Sequence, residues 1–376
     1  MKKFLVLMLS AALLTPMFTS CKSNDDNDDL FPHDPDGGYS GLTVEEQKQK
    51  LATDATAVIE KLNGLSNASA IELLRSFAEL SDNFPAFGED DDYYYPAKSA
   101  LKTAQDLTLI KDFYGAYTWN HSTKRWDESA SADKLIISLP ARRGGSSNNG
   151  RIEISGESSG NFIEGMEVPR NLKMILFADG NNIGSIEVTA TGVSADKAPS
   201  SASMKLTLDS YSLEYSFGSS SNNMNTSLTL SKGSETLLSG NVDLTADMDA
   251  LFDTEYPEEY VDKGNFELKM GNSIAFKGNV NYKSLMNTPP DNADQYIAAM
   301  NQNIKLSLVS IADNTTIASV KFIAERYEDY YETWYEPAPV LVFSDGTQAT
   351  VDAFFGEGFD IVFDAWNNFI KQMQIE

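Results

Sequence analysis

From about Phe113 onward, apolar and polar residues alternate with a period of two. Tyr211, Leu213, Tyr215 and Phe217 are separated by Ser212, Glu214 and Ser216, as in a strand with one face on a core and the other in water. The same alternation marks Leu172-Met174-Leu176, Ile186-Val188, Leu206-Leu208, Leu228-Leu230, Phe266-Leu268-Met270, Ile274-Phe276, Ile304-Leu306-Leu308 and Val320-Phe322. Turn sequences separate them, notably Ala178-Asp179-Gly180-Asn181, Ser231-Lys232-Gly233 and Ser344-Asp345-Gly346-Thr347, which predicts antiparallel hairpins. Two of these hairpins align without a gap, Leu228 to Ala246 against Phe266 to Ser284, sharing Gly240-Asn241-Val242 and Gly278-Asn279-Val280 at a spacing of about 38 residues. Hairpins with glycine turns also resemble one another without being repeats, so both readings stay open. The acidic stretch from Asp247 to Tyr260 has room for a helical turn, and Asp291 to Met300 reads as a helix.

Ahead of the strands the period is that of a helix. Thr43 supplies a capping hydroxyl and Glu46 completes a capping box; Leu51, Ala55, Val58, Ile59 and Leu62 then recur until Asn63-Gly64 ends the helix. A second helix is predicted from about Ser69 to Leu80, with Ile71, Leu74, Phe77 and Ala78 on one face, and a short one over Lys98 to Leu107. Near the end of the chain Phe359, Val362, Trp366, Phe369 and Ile370 have helical spacing, predicting a C-terminal helix from about Asp360 to Met373 with Trp366 in the core. The fold class is therefore mainly β (α+β): an antiparallel meander of repeated hairpins, with an N-terminal helical hairpin and a C-terminal helix packed on the sheet. Residues 1–20 read as a signal peptide, 21–41 as a tether, 42–112 as a helical segment and 113–376 as the β domain with its C-terminal helix.

The first two of these segments set the compartment. Met1-Lys2-Lys3 is positive, and Phe4 to Leu14 is an apolar run broken only by Ser10, too short to span about 30 Å of hydrocarbon. Polar and small residues follow, then Cys21, the sole cysteine. The run Thr15-Pro16-Met17-Phe18-Thr19-Ser20 before Cys21 resembles a bacterial lipoprotein signal, in the looser form found in the Bacteroidota, where leucine is replaced at the position of Phe18. That resemblance implies a palmitate-type lipid anchor on Cys21. Lys22-Ser23-Asn24-Asp25-Asp26-Asn27-Asp28-Asp29 is too charged and too polar to fold alone, and it resembles the acidic export signal of surface-exposed lipoproteins of that group. The implied place is the outer membrane, facing the cell exterior; the alternative is the periplasmic face.

Charge and cysteine count narrow the partners. With 55 acidic against 29 basic side chains and a net charge of −26, the surface repels phosphate backbones, so nucleic acid is not an expected partner. One cysteine allows no internal disulfide, leaving burial and hydrogen bonding to hold the fold.

Catalytic patterns are sparse. Gly156-Glu157-Ser158-Ser159-Gly160 fits G-x-S-x-G, but no histidine follows His121 and the segment reads as a serine-rich turn rather than a nucleophile elbow. Asp34-Pro35-Asp36-Gly37 begins like a calcium loop, yet Gly38 and Tyr39 stand where an oxygen ligand and the required glycine belong. His33 and His121 are the only histidines, too few for a zinc cluster. A glycosidase needs two flanking carboxylates, a pattern that 55 acids neither reveal nor exclude. No metal, cofactor or catalytic residue is expected, and the chain is read as a non-enzyme.

Binding has a better candidate. Tyr327, Tyr330, Tyr331, Trp334 and Tyr335 interleave with Glu328, Asp329, Glu332 and Glu336, and Tyr93, Tyr94 and Tyr95 follow Asp90-Asp91-Asp92. Exposed rings beside carboxylates suit a sugar, whose C–H face stacks while its hydroxyls meet the acids. The bland alternative is that alternate rings fill the core while the acids protect an edge strand. Three functions stay open: a surface module binding a glycan or an envelope protein, a structural or adhesive component, and a carrier holding an apolar ligand in a half-open sheet.

Overall fold

The computed structural model describes residues 38–81, 84, 110–131, 133–163, 166–192, 200–247, 260–286, 293–328, 333–350 and 353–354. Among these lie four α-helices, α1 (Val44–Asn63), α2 (Ser69–Leu80), α3 (Tyr282–Met286) and α4 (Ala293–Asn303). Eight strands precede residue 220: β1 (Gly115–Asn120), β2 (Arg125–Ser129), β3 (Leu135–Leu139), β4 (Gly150–Ile163), β5 (Met166–Ala178), β6 (Asn181–Thr191), β7 (Ser201–Leu208) and β8 (Tyr211–Ser219). Eight follow: β9 (Asn223–Lys232), β10 (Glu235–Ala246), β11 (Val261–Met270), β12 (Ile274–Val280), β13 (Ile304–Ser310), β14 (Thr315–Glu328), β15 (Thr333–Val342) and β16 (Gln348–Thr350).

The protein is mainly β, with one sixteen-stranded sheet in which β3 to β16 are hydrogen-bonded in sequence order. Every segment with period-two alternation lies in a strand. The meander is broken once: β1 lies between β2 and β3, antiparallel to β2 and parallel to β3. An alternating pattern marks a strand but not the direction of its neighbour, so this departure left no trace in periodicity. Gly156 to Gly160 is not a turn but lies inside β4, where the register against β5 shifts at Ser158. The Tyr114 hydroxyl donates to Gly156 O at 3.0 Å and accepts from Gly156 N at 3.2 Å, bonding that backbone beyond the end of β3.

The helices start as their sequences require. The α1 box closes, with Thr43 N donating to Glu46 Oε2 at 2.9 Å and Glu46 N to Thr43 Oγ1 at 3.3 Å. The Thr43 backbone bond, and after it the Thr43 hydroxyl donating to Glu46 Oε2 at 2.8 Å, hold the Glu46 carboxyl below its ordinary pKa. At α2 the N-cap is Ala68, which has no side-chain cap; Asp209 in the β7–β8 turn accepts from Ser69 N at 2.7 Å instead. The folded part also begins before residue 42: Ser40 N donates to Thr316 O and Thr316 N to Gly38 O, both at 2.8 Å.

The chain divides into two compact units, and the division does not separate helices from strands. One takes Met1–Val58, Ser221–Asn223 and Leu238–Ala365; the other takes Ile59–Ser220, Met224–Leu237 and Trp366–Glu376. The first has a core of Leu51 and Ala55 from α1 against Leu308, Ile317, Ala318, Leu341, Phe343 and Phe354. In the second, α2 lies close enough to the sheet that a Cβ on Gly184 would stand 3.2 Å from Ala70 Cβ and 2.7 Å from Thr207 O; only glycine fits there. At one margin Phe84 stacks edge-on against Phe77 and Trp126 at 5.4 and 5.0 Å, and Trp126 Nε1 donates to Leu80 O at 3.1 Å. The proposed repeat occupies β9–β10 and β11–β12, with Gly233 and Gly271 at matching turns. The helix expected from Asp291 is α4. The helices expected over Lys98 to Leu107 and Asp360 to Met373 lie outside the described residues.

Candidate functional site

The aromatic and acidic stretch is the outer end of the β14–β15 hairpin. Register places Glu325 opposite Glu336, Arg326 opposite Tyr335, Tyr327 opposite Trp334 and Glu328 opposite Thr333. Residues that the sequence presents as one run are thus folded back on themselves across the two strands. Tyr335 is 52% exposed, an unusual degree for a large ring in a strand.

Two features hold this end in place. Asn301, in the last turn of α4, donates from Nδ2 to Phe322 O and accepts from Phe322 N through Oδ1, each at 2.7 Å. The amide continues the β14 ladder where β13 begins only at Ile304. Lys305 donates to Asn301 O at 2.5 Å, and burial holds its ammonium below the ordinary pKa. On the outer side, β16 pairs only with Val340, Leu341 and Val342. Pro337 and Pro339 stand two apart in the part of β15 that β16 does not reach; lacking N–H groups, they deny that edge to another strand. Two prolines at this spacing are a sign of a strand edge that is readable in the sequence.

The other predicted residues are not brought to this hairpin by anything described. Cys21, Tyr93, Tyr94, Tyr330 and Tyr331 lie outside the described residues. No group of three or more His, Cys, Asp or Glu with metal-holding geometry occurs among the described residues, and no helix among them is long and apolar enough to cross a membrane.

A second surface has its own order. On β5 to β8, Lys173, Glu187, Lys205 and Glu214 stand in register, with ion pairs Lys173–Glu187 and Lys205–Glu214 at 2.6 Å. The next row is hydroxylic, Thr189–Ser203 at 2.6 Å and Ser216–Ser227 at 2.7 Å. The opposite face of the same strands carries Met174, Ile186, Leu206 and Leu213, all half-buried.

No protein-family model matches the sequence, and no curated protein matches it. A solved structure described as a porin-like protein from Bacteroides vulgatus ATCC 8482 aligns with 62% of this chain and 90% of its own, at 7% identity and a TM-score of 0.18. A likeness at that level carries no argument about fold or function.

Proposed function

We propose that the chain is a lipid-anchored, surface-exposed lipoprotein of the outer membrane that binds a glycan, without catalysis, at the end of the β14–β15 hairpin. The observation that carries this reading is the half-exposed Tyr335 at the outer end of that hairpin, in register with Arg326 and next in sequence to Glu336. Rings stack on the apolar face of a sugar while charged and amide groups take its hydroxyls. The anchor is supported by the signal-like run, Cys21 and the acidic tether.

A glycan array probed with the parent protein and with Tyr335→Ala tests it. Tyr335 is exposed, so its loss should weaken array binding about tenfold or more with little change in melting temperature, as loss of an aromatic anchor does. A blank array for the parent removes the glycan and leaves an envelope protein as ligand, or a structural role. The carrier reading draws on the half-buried apolar residues of β4 to β9; a fluorescent fatty acid that binds, and is lost in Leu213→Gln, favours it over the glycan.

A further inference from the structure

The parallel pairing of β1 with β3 has a consequence for charge. Because β1 and β3 run the same way, the β1–β2 turn and the β3–β4 loop leave the sheet at the same end. They are tied together there: His121 Nε2 and Asn148 Oδ1 are 3.0 Å apart, and Asn148 Nδ2 donates to Trp119 O at 2.7 Å. The turn ends at Lys124, Arg125 opens β2 and the loop carries Arg142 and Arg143, all four exposed. From Lys134 to Arg151 the chain contains no acid, although acids outnumber bases 55 to 29 overall. None of the four enters an ion pair among the described residues. The nearby acids, Asp127 on β2 and Asp179 and Asp209 on adjoining turns, bond to neutral amides and not to these four cations: Asp127 accepts from Asn120 Nδ2 at 2.9 Å, Asp179 from Asn149 Nδ2 at 2.8 Å and Asp209 from Ser69 N at 2.7 Å. The loop is also ordered by its own bonds, Ala141 N to Asn149 Oδ1 at 3.0 Å and Gly145 N to Arg142 O at 3.1 Å, so the arginines are presented on a fixed frame.

We propose that this end, through Lys124, Arg125, Arg142 and Arg143, docks on the phosphate groups of the membrane that holds the chain. The proposal rests on the anchored reading above. Arginine forks suit phosphate oxygens, and a strongly acidic body is repelled by an anionic surface everywhere except at such a patch. Magnitude favours a membrane over a free acidic glycan. Each cation near an anionic surface brings about a fivefold gain, so four give on the order of several hundredfold. That is weak for a ligand in solution. For a chain already tethered to the surface it is enough to fix orientation, because the tether supplies the effective concentration.

The test uses the full acylated chain in phosphatidylcholine vesicles and in vesicles with about a third phosphatidylglycerol. Flotation with the neutral vesicles reports the anchor, and the rate of Arg-specific proteolysis after Arg142 and Arg143 reports docking. We expect cleavage about tenfold slower on the anionic vesicles at low salt, with the difference lost at high salt. In the Lys124→Ala, Arg125→Ala double variant, whose cleavage site is intact, protection should fall to about twofold. Equal cleavage on both vesicles by a chain that floats with both overturns the proposal. So does protection on neutral vesicles by polygalacturonate matching that from anionic lipid, which would make an acidic glycan the partner. A chain that fails to float with neutral vesicles contradicts the anchor, and its flotation with the anionic ones then decides the patch.

Discussion

Two rows of side chains on the same strands, one step of the pleat apart, meet different fates. Ile152, Leu176, Leu208 and Tyr211 are in register across β4 to β8, through Gly184, and are 2%, 0%, 4% and 5% exposed. The next row, Ile154, Met174, Ile186, Leu206, Leu213 and Leu230, is only half-buried. The chemistry is the same; the cover differs. Ala70 and Leu73 of α2 come down beside Gly184 and Gly150, and Tyr211 donates to Lys61 O at the end of α1 at 2.6 Å. Period two tells which face of a strand is apolar. It does not tell what, if anything, lies on that face.

The sharpest test compares the two rows directly. Leu176→Ala should cost about 2–5 kcal/mol, because it opens a cavity beneath a fixed helix. Leu213→Ala should cost about 1–2 kcal/mol, since half-buried methyls lose less transfer energy and leave no closed void. Urea unfolding of both variants measures the difference. Equal losses would mean that the second row is as enclosed as the first.

A smaller effect is expected at the device that seats the cover. Asp209 caps α2 from the β7–β8 turn and holds a positive φ of 51°. Asp209→Ala loses the cap, about 0.5–2 kcal/mol, and places alanine in the left-handed region, roughly 1 kcal/mol more. Asp209→Asn keeps an acceptor and tolerates that φ, so it should lose much less. Amide exchange in α2 should rise in the alanine variant and spare β10 to β13; a uniform rise would show that the cap is not local to α2.

These elements also mark how far the sequence could be read. Strands such as β8 were legible because Tyr211 to Phe217 alternate without exception. The α1 start was legible because Thr43 and Glu46 are neighbours in sequence. The α2 cap was not, since its carboxylate comes from Asp209, 140 residues beyond the amide it serves. The bridge at Tyr39 was invisible for a different reason: it is made by backbone bonds of Gly38 and Ser40 to Thr316, which need no apolar pattern. At the candidate site the sequence showed the aromatic and acidic run, but pairing across β14 and β15 is a matter of register. One residue of slip would set Tyr327 against another partner. The basic end went unread because its charges belong to two separate loops, joined only by the parallel pairing of β1 with β3.

The smallest effect is expected on the opposite face of the same strands. There Lys173, Glu187, Lys205 and Glu214 form an exposed row in which the Lys173 hydrogen bond lowers the Glu187 pKa and the Glu214 hydrogen bond raises that of Lys205. The signs define a plateau. The Glu187 contribution is present above the ordinary carboxylate range and lost as pH falls through the depressed folded value. The Lys205 contribution is present below the ordinary ammonium range and lost as pH rises through the raised one. Between those limits the row is fully charged, yet water screens it and long side chains must be ordered to make each pair. Glu214→Gln should therefore move the melting temperature least of all the variants here. What shift there is should be larger at low ionic strength and gone by about 1 M salt, where the screening length is about 3 Å. A loss as large as that of Asp209→Ala, insensitive to salt, would mean that these charges are shielded from water, and the contrast between a covered apolar row and an open polar face would fail.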